Sequence, residues 1–302
     1  MSDIKLFHIA KNKVTELEGK SVAVEKSLQS LIETHLEDFL GIKFLATEYS
    51  TGLKHGGRID TLGIDENNCP VIIEYKRATN ENVINQGLYY LDWLLDHKAE
   101  FQLLVMNKYG KNFSESIEWE NSRLICIAGD YTKYDSYAVQ QINRNIELIR
   151  YKKFEDLLLF ELVNAISSSK ESQKVSKTKN DSKKYKTVGE FLNQSSQELK
   201  DMYELIKSFI LNLGEDIQVK ELLYYFAFKR IKTFVSIEIH SKTNTVVVYV
   251  RLVAKSIKFE EGFTRDVTNI GHLGIGNIEI RIKSLDDFER AKPLIIKSYE
   301  LN

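Results

Sequence analysis

The stretch GGRIDTLGIDENNCPVIIEYKR, residues 56–77, decides the fold. Two apolar runs, RIDTLGID and PVIIEYK, flank the polar turn ENNC, and this pattern predicts a β-hairpin. Both runs carry charge, because Asp60 interrupts the first and Glu74 and Lys76 lie at the end of the second. Side chains two residues apart share a face of a strand, so Glu74 and Lys76 face the same way. Hairpin pairing is expected to bring Asp60 within reach of that face.

Two carboxylates that converge on one point repel each other unless a cation lies between them. Oxygen ligands together with water suit Mg²⁺ or Mn²⁺. Such a metal lowers the pKa of a bound water and neutralises charge on a phosphate, and a lysine beside it stabilises developing charge. The pattern therefore favours a hydrolytic metal site. The alternative is an ion-pair ladder on an exposed sheet face, and the apolar neighbours Val71, Ile72 and Ile73 argue against it.

The rest of the first 165 residues alternates between helical and strand patterns. Apolar spacing predicts a helix over 21–41 that stops at Gly41, and the most regular helix over 82–98. The apolar run at 100–106 predicts a strand, and the run at 154–166 predicts a helix. This alternation predicts an α/β domain, a mixed sheet with helices on its faces.

Composition divides the chain of 302 residues into three parts. Residues 1–165 carry a net charge of −6, so the first domain is not a generally basic nucleic-acid binder. Residues 166–186 are rich in Ser and Lys and poor in apolar residues, which predicts a linker. Its lysines leave a phosphate-contacting arm as the alternative. Residues 187–302 predict a smaller α+β domain.

The spacing D-x13-E-x-K, from Asp60 to Lys76, resembles the PD-(D/E)XK nuclease superfamily, with Ile59-Asp60 in place of the family's Pro-Asp. Gln86 and Tyr90 in QGLYY resemble the additional motif of the RecB-like branch. The likeness extends over roughly residues 20 to 130 and looks like the nuclease domain of NucS-type endonucleases and their relatives. It implies a restriction-endonuclease-like fold.

The resemblance also implies roles for individual residues. Asp60 and Glu74 correspond to ligands of Mg²⁺ or Mn²⁺, and Lys76 to the catalytic lysine. Gln86 and Tyr90 would shape the site or touch the nucleic acid. These implications give a metal-dependent endonuclease that hydrolyses phosphodiester bonds, with DNA as the expected substrate.

The family also uses a glutamate from its first core helix. Glu25 matches best by its spacing to Leu28, and Glu33 is the alternative because it is closer to Asp60 in sequence. The chain departs from the family in its acidic first domain, since a duplex binder is expected to display more Lys and Arg. A non-cleaving nucleic-acid-binding, regulatory or assembly protein on a nuclease-like scaffold is therefore the alternative function.

Basic residues next to the proposed site are candidate phosphate contacts. Lys54, His55 and Arg58 lie in KHGGR, and Arg77 directly follows the lysine strand. The simpler interpretation of KHGGR is a turn in which glycine supplies a positive φ, and both interpretations are compatible. Arg77 is either a phosphate contact or a solvated strand end.

The C-terminal part resembles an uncharacterised module often found after such nucleases, and this likeness gives it no activity. Its run YYFAFKRIK, 224–232, predicts core packing over single-stranded nucleic-acid binding. GHLGIG, 271–276, lacks the strand-then-helix setting of a nucleotide loop and predicts an ordinary loop.

No run of 18 apolar residues and no apolar signal core occur, so we expect no membrane partner. With only two cysteines, a cytoplasmic location is the expectation. A homodimer is one option for the assembly, with Trp93 at an interface instead of in the core.

Overall fold

The chain divides into two units, residues 1–170 and 171–302. The computed structural model describes residues 4–19, 26–76, 83–166 and 187–302. No helix in this described part of the chain is both long and apolar enough to cross a lipid bilayer. The first unit combines a six-stranded mixed sheet with helices, and the second is built on a six-stranded antiparallel sheet.

Eight strands and seven helices form the described part of the first unit. The strands are β1 (Leu6–Ala10), β2 (Lys13–Leu17), β3 (Ile42–Ser50), β4 (Arg58–Asp65), β5 (Pro70–Lys76), β6 (Arg123–Ala128), β7 (Asn145–Phe154) and β8 (Leu157–Ile166). The helices are α1 (Lys26–Thr34), α2 (Leu36–Leu40), α3 (Gly52–His55), α4 (Val83–Asp96), α5 (Lys98–Tyr109), α6 (Lys111–Glu115) and α7 (Lys133–Gln140).

The main sheet of this unit has the strand order β3-β4-β5-β6-β7-β8. Strands β5, β6 and β7 are parallel, and the outer pairs are antiparallel. Leu36 of α2 lies over Gly63 on one sheet face, while Gly87 of α4 lies against Leu124 on the opposite face. Helices α1 and α2 therefore cover one face, and α4 and α5 cover the other.

The predicted hairpin of residues 58–76 is confirmed as β4 and β5, and its turn is fixed by a buried carboxylate. Asp65 Oδ1 accepts hydrogen bonds from the backbone N–H groups of Asn67 and Cys69 at 2.9 and 3.0 Å. Its other oxygen accepts from Arg123 at 2.8 Å, and Arg123 also donates to Glu147 at 3.2 Å. All three charged side chains are buried, so this ion triad ties the hairpin to β6 and β7.

Two predicted elements are wrong. Residues 100–106 lie in helix α5 instead of a strand, because the buried side chains are Phe101 and Val105, four residues apart, while Leu103 and Met106 are exposed. The helical spacing of the two buried residues is not visible in the sequence, because most residues between them are apolar as well. Gly41, by contrast, ends α2 in the left-handed region as predicted, with φ 66°.

The second wrong element is the helix predicted over 154–166, which is strand β8. Glu155 takes a left-handed φ of 50°, and β8 then pairs along the whole of β7. An apolar run of this length satisfies its backbone equally well by sheet pairing as by a helix. The hairpin β1–β2, which pairs Leu6 with Leu17, was also not predicted.

The second unit packs helices on one face of its sheet. Its strands are β9 (Gln218–Glu221), β10 (Phe226–Lys229), β11 (Thr233–His240), β12 (Thr245–Val250), β13 (Thr264–Asp266) and β14 (Ile278–Ile282), in the order β13-β14-β12-β11-β10-β9. Its helices are α8 (Val188–Asn193), α9 (Gln197–Leu211) and α10 (Leu285–Leu301). Phe226 and Phe228 are buried with Ile206 of α9 and Ile295 of α10. This confirms the core interpretation for these two aromatics of the run 224–232, whereas Tyr224 is exposed.

The opposite face of this sheet carries the polar Ser236 and Glu238 beside a small apolar cluster of Val247, Tyr249 and Val267, and it is crossed by the GHLGIG loop. The Gly274 N–H donates to Glu238 at 3.0 Å, and the Ile275 N–H donates to Ser236 Oγ at 2.7 Å. The His272 ring stacks on Tyr249, with centroids 4.8 Å apart. The prediction that this segment is an ordinary loop is confirmed, since its backbone N–H groups donate hydrogen bonds to side chains of the sheet.

We expect replacement of Arg123 by Leu to lower the free energy of unfolding of the first unit by about 3–5 kcal/mol, because Asp65 and Glu147 would stay buried without their cation. Adding Asp65→Asn and Glu147→Gln should recover most of the loss. Urea titration followed by tryptophan fluorescence measures this unit alone, since both tryptophans, Trp93 and Trp119, lie in it. Replacement of the exposed Arg144 by Leu is the control, and an equal loss there would refute the role of the triad.

Candidate functional site

The sheet opens into a fork between β4 and β5 where the two predicted carboxylates lie. Backbone pairing of these strands ends at Thr61 and Ile73. At the next level, the Asp60 N–H donates to Glu74 Oε1 at 3.1 Å, and the Tyr75 N–H donates to Asp60 Oδ2 at 3.0 Å. Side-chain oxygens thus take the place of the backbone ladder.

Beyond the fork, each strand stays paired with its outer neighbour. On β4, Arg58 pairs with Ser50 of β3, and on β5 the backbone of Lys76 pairs with Ala128 of β6. Both strands are therefore held in place while they separate from each other. The sequence predicted that Asp60 and Glu74 would come together, and the structure brings them together at this point.

Glu74 is the buried member of the pair, with 1% of its surface exposed. The pKa of Glu74 is raised to about 9, mainly by burial and also by the nearby Asp60 and Glu48 charges, against the lowering effect of the Asp60 N–H bond. Asp60 is only partly buried. The site thus combines one carboxylate that resists ionisation with a second one open to solvent.

Glu48 is an acidic residue of the site that the sequence interpretation missed. It lies on β3 at the level of Asp60, between Thr47 and Tyr49, and takes a left-handed φ of 49°. Its carboxylate is 3.4 Å from the guanidinium Nε of Arg58. A signal was present, since the strand KFLATEYS carries one acid at the position that pairs beside Asp60.

A polar network on helix α1 supports the fork from the other sheet face. Glu33 Oε1 accepts from Thr61 Oγ1 at 2.5 Å and from Gln29 Nε2 at 3.1 Å. The same Gln29 nitrogen is 3.3 Å from the Asp60 carbonyl oxygen, and Thr61 Oγ1 is 3.4 Å from the Tyr75 hydroxyl. Burial raises the pKa of the Tyr75 phenol, and the Thr61 hydrogen bond opposes this.

This network bears on the choice of the helix glutamate. Glu33, the alternative, is linked to β4 through Thr61 and Gln29, and Thr61 extends the link to Tyr75 of β5. Glu25, the first choice, lies outside the described residues, so its role stays a prediction. The Oε1 atom of Gln29 is buried and has no hydrogen-bond partner within the part of the chain that the structure describes.

Helix α4 connects the Gln–Tyr motif to the start of β4. Gln86 Nε2 donates to the Tyr90 hydroxyl at 3.3 Å, and that hydroxyl accepts from the Arg58 N–H at 3.2 Å. A side chain at Gly57 would collide with the Tyr90 ring, because its Cβ would lie 2.5 Å from Tyr90 Cε1. The motif thus fixes the backbone two residues before Asp60.

The structure describes only some of the basic residues that were predicted to contact phosphate. His55 ends α3 and is partly buried, and Arg58 is exposed on β4. The backbone of Lys54 lies in α3 and that of Lys76 in β5, but their side chains lie outside the described part. Arg77 lies outside it altogether. Gly56 follows α3 with a φ of 63°, so the turn interpretation of KHGGR is supported.

The donor set at the fork was compared with the needs of Mg²⁺ or Mn²⁺. Within residues 4–19, 26–76, 83–166 and 187–302, no three His, Cys, Asp or Glu side chains are grouped to hold a metal. Asp60 and Glu74 still provide carboxylates from adjacent strands, and the Asp60 N–H bond to Glu74 uses the Oε1 atom. Since Mg²⁺ commonly uses one or two carboxylates and keeps several waters, these residues fit such an ion.

Comparisons with known proteins add little about function. Residues 188–302 match the model of a domain of unknown function, DUF5655. An uncharacterized protein of Haemophilus influenzae is 29% identical over 301 residues, which cover 97% of this chain and 98% of the relative. The solved structure of an EndoMS–dsDNA2 complex matches 44% of this chain and 47% of its own, at 20% identity and a TM-score of 0.26. None of these likenesses assigns an activity to this chain.

The raised pKa of Glu74 predicts a pH-dependent stability in the absence of divalent cations. The unfolded chain releases this proton near the ordinary value of 4.5, whereas the folded protein holds it until about pH 9. The stability that the Glu74 proton contributes is therefore fully present below pH 4.5 and is lost as the pH rises towards 9. We expect Glu74→Gln, which cannot ionise, to keep its melting temperature over this range while the native protein loses at least about 4 °C relative to it.

Thermal unfolding in EDTA, followed by tryptophan fluorescence at several pH values, measures this difference. Replacement of the exposed Glu120 by Gln is the matched control and should run parallel to the native protein. If Glu74→Gln also runs parallel to the native protein from pH 5 to 9, the assigned ionisation is wrong.

Proposed function

We propose that the first unit is a metal-dependent endonuclease of the PD-(D/E)XK type that hydrolyses phosphodiester bonds, with DNA as the expected substrate. The observation that carries this proposal is the fork, where the carboxylates of Asp60 and Glu74 replace backbone pairing between two strands. Lys76 follows two residues later, as the motif requires. Departures from regular pairing of this kind are expected at functional sites.

In this proposal Asp60 and Glu74 would hold Mg²⁺ or Mn²⁺. When bound, such an ion supplies a water of lowered pKa and neutralises charge on the phosphate. The Asp60 N–H positions the Glu74 carboxylate, and the Tyr75 N–H positions the Asp60 carboxylate. Neither carboxylate therefore needs to reorganise when the metal ion binds. Lys76 is assigned the stabilisation of charge that develops on the phosphate.

Surrounding residues would position the nucleic acid. Arg58 is exposed next to the fork, and its backbone is fixed by the Tyr90 hydroxyl, which suits a phosphate contact. Gln86 holds that hydroxyl from the exposed side of α4. Lys54, His55 and Arg77 are further candidate phosphate contacts, and Glu25 or Glu33 the helix glutamate.

Cleavage is the direct test. With Mg²⁺ or Mn²⁺ present, we expect the full chain to cut plasmid or single-stranded DNA. Asp60→Asn, Glu74→Gln and Lys76→Met should each lower the rate by at least about a hundredfold. The first two weaken the hold on the metal ion, and the third removes the positive charge that stabilises the reacting phosphate. Asp92→Asn, which removes an exposed carboxylate of α4, is the control. Cleavage that survives in all three site variants would contradict the proposal.

Metal binding should be visible without any cleavage. Because a divalent cation competes with the Glu74 proton, we expect Mn²⁺ to bind more tightly at pH 8 than at pH 6. It should raise the melting temperature of the native protein more at the higher pH, since binding to the folded state adds stability. Asp60→Asn and Glu74→Gln should lose this response. An unchanged response in both variants would place the ion elsewhere.

A non-cleaving nucleic-acid-binding protein is the second candidate. It is favoured by one observation, that the described residues offer two carboxylates at the fork and no group of three metal ligands. Under this alternative, retention of DNA would fall steeply with salt while no product forms. A protein that binds only a basic protein partner would show neither retention nor product.

A further inference from the structure

A column of contacting rings lies at the segment that leads into β4, formed by Tyr89, His55, His97 and Trp93. The Trp93 and His97 rings are stacked with centroids 4.7 Å apart and planes at 15°. His97 meets His55 edge-on at 5.3 Å, and His55 meets Tyr89 at 5.9 Å. Trp93 is buried in the core, whereas Tyr89 is 45% exposed. The ring column thus leads from the core to the surface.

Tyr89 is fixed at the outer end of this column. Its hydroxyl donates to the His55 carbonyl oxygen at 3.1 Å, and its ring lies 5.9 Å from that of Tyr90. An exposed aromatic ring held by its own hydroxyl loses little conformational entropy when another ring contacts it. Tyr137 on α7 is exposed by 66% and serves for comparison as an exposed tyrosine outside the ring column.

The ring column is tied to the backbone that carries Asp60. Thr51 and Gly57 close the segment around His55 through the Thr51 N–H to Gly57 carbonyl bond and the Gly57 N–H to Thr51 Oγ1 bond, both 3.0 Å. From Gly57, three residues of β4 reach Asp60, about 10 Å away at the rise of an extended strand. The segment that carries His55 is therefore joined directly to the strand that carries Asp60.

We propose that Tyr89, backed by His55, is a stacking site for an unpaired nucleobase next to the phosphate at the fork. This inference rests on the proposed function, because it defines the substrate of that same site. Aromatic rings bind bases through their faces, and inside a duplex those faces are covered by the neighbouring base pairs. The base offered to Tyr89 is therefore unpaired, either in a single strand or extruded from a duplex.

Binding measurements in EDTA test the stacking without cleavage. The full chain is titrated with three probes that carry 2-aminopurine: a single-stranded oligodeoxynucleotide, a fully paired duplex, and a duplex with the reporter opposite an abasic site. We expect the native protein to bind the single strand more tightly than the paired duplex and to quench its reporter. Quenching with the third probe as well assigns an extruded base as a second source.

Substitutions identify the ring. Tyr89→Ala should weaken binding of the single strand about tenfold and abolish quenching, as expected for loss of one stacked base. Tyr89→Phe keeps the ring and loses only the bond to His55, so it should stay close to the native protein. Tyr137→Ala, the matched control, should bind as the native protein does. Melting temperatures of all variants check that they fold.

The outcomes separate this inference from the proposed function. If Tyr89→Ala binds the single strand as tightly as the native protein, or loses paired duplex to the same extent, the stacking inference is overturned whether or not the protein cleaves DNA. Failure to bind any probe at low salt overturns it as well. If Tyr89 discriminates as expected but Mg²⁺ and Mn²⁺ elicit no cleavage, the stacking site stands and the nuclease proposal fails.

Discussion

The exchange of backbone hydrogen bonds for carboxylates between β4 and β5 is the interaction on which the site depends. Asp60 and Glu74 each accept a backbone N–H from the opposite strand. They hold the strands in register and at the same time keep them apart. Backbone pairing between the two strands ends at Thr61 and Ile73, directly before these acids.

The buried carboxylates at the two ends of the β4–β5 hairpin have opposite electrostatic surroundings. At the turn, Arg123 bonds to both Asp65 and Glu147, and the ion triad is complete within the protein. At the fork, the proximity of Asp60 adds to the raised pKa of Glu74. The turn end stabilises the fold, whereas the fork end holds negative charge in a place where a divalent cation would relieve it.

Much of the fold and of the candidate site follows from short-range patterns. The hairpin, helix α4 and the contact between Gln86 and Tyr90 were all predictable, because strand alternation and helical spacing fix which side chains share a face. The convergence of Asp60 and Glu74 follows from hairpin register in the same way. These features need only local geometry and one turn.

Other features depend on tertiary packing that no short window contains. The runs at 100–106 and 154–166 are too uniformly apolar for periodicity to separate helix from strand. Packing against the rest of the unit differs between them, since Phe101 and Val105 of α5 join the core while β8 pairs with β7. Glu48 and Gln29 reach the site from β3 and α1, which lie next to β4 only after folding. The ring column likewise joins α3 to α4 across distant sequence.

We propose that the fork binds a divalent cation between Asp60 and Glu74. Anomalous diffraction from crystals of the protein soaked in Mn²⁺ tests this binding most directly, because the manganese position is located independently of any assay. We expect a peak within about 2.0–2.6 Å of oxygens from both carboxylates. No peak at the fork, or a manganese ion held elsewhere with both carboxylates unliganded, would contradict it.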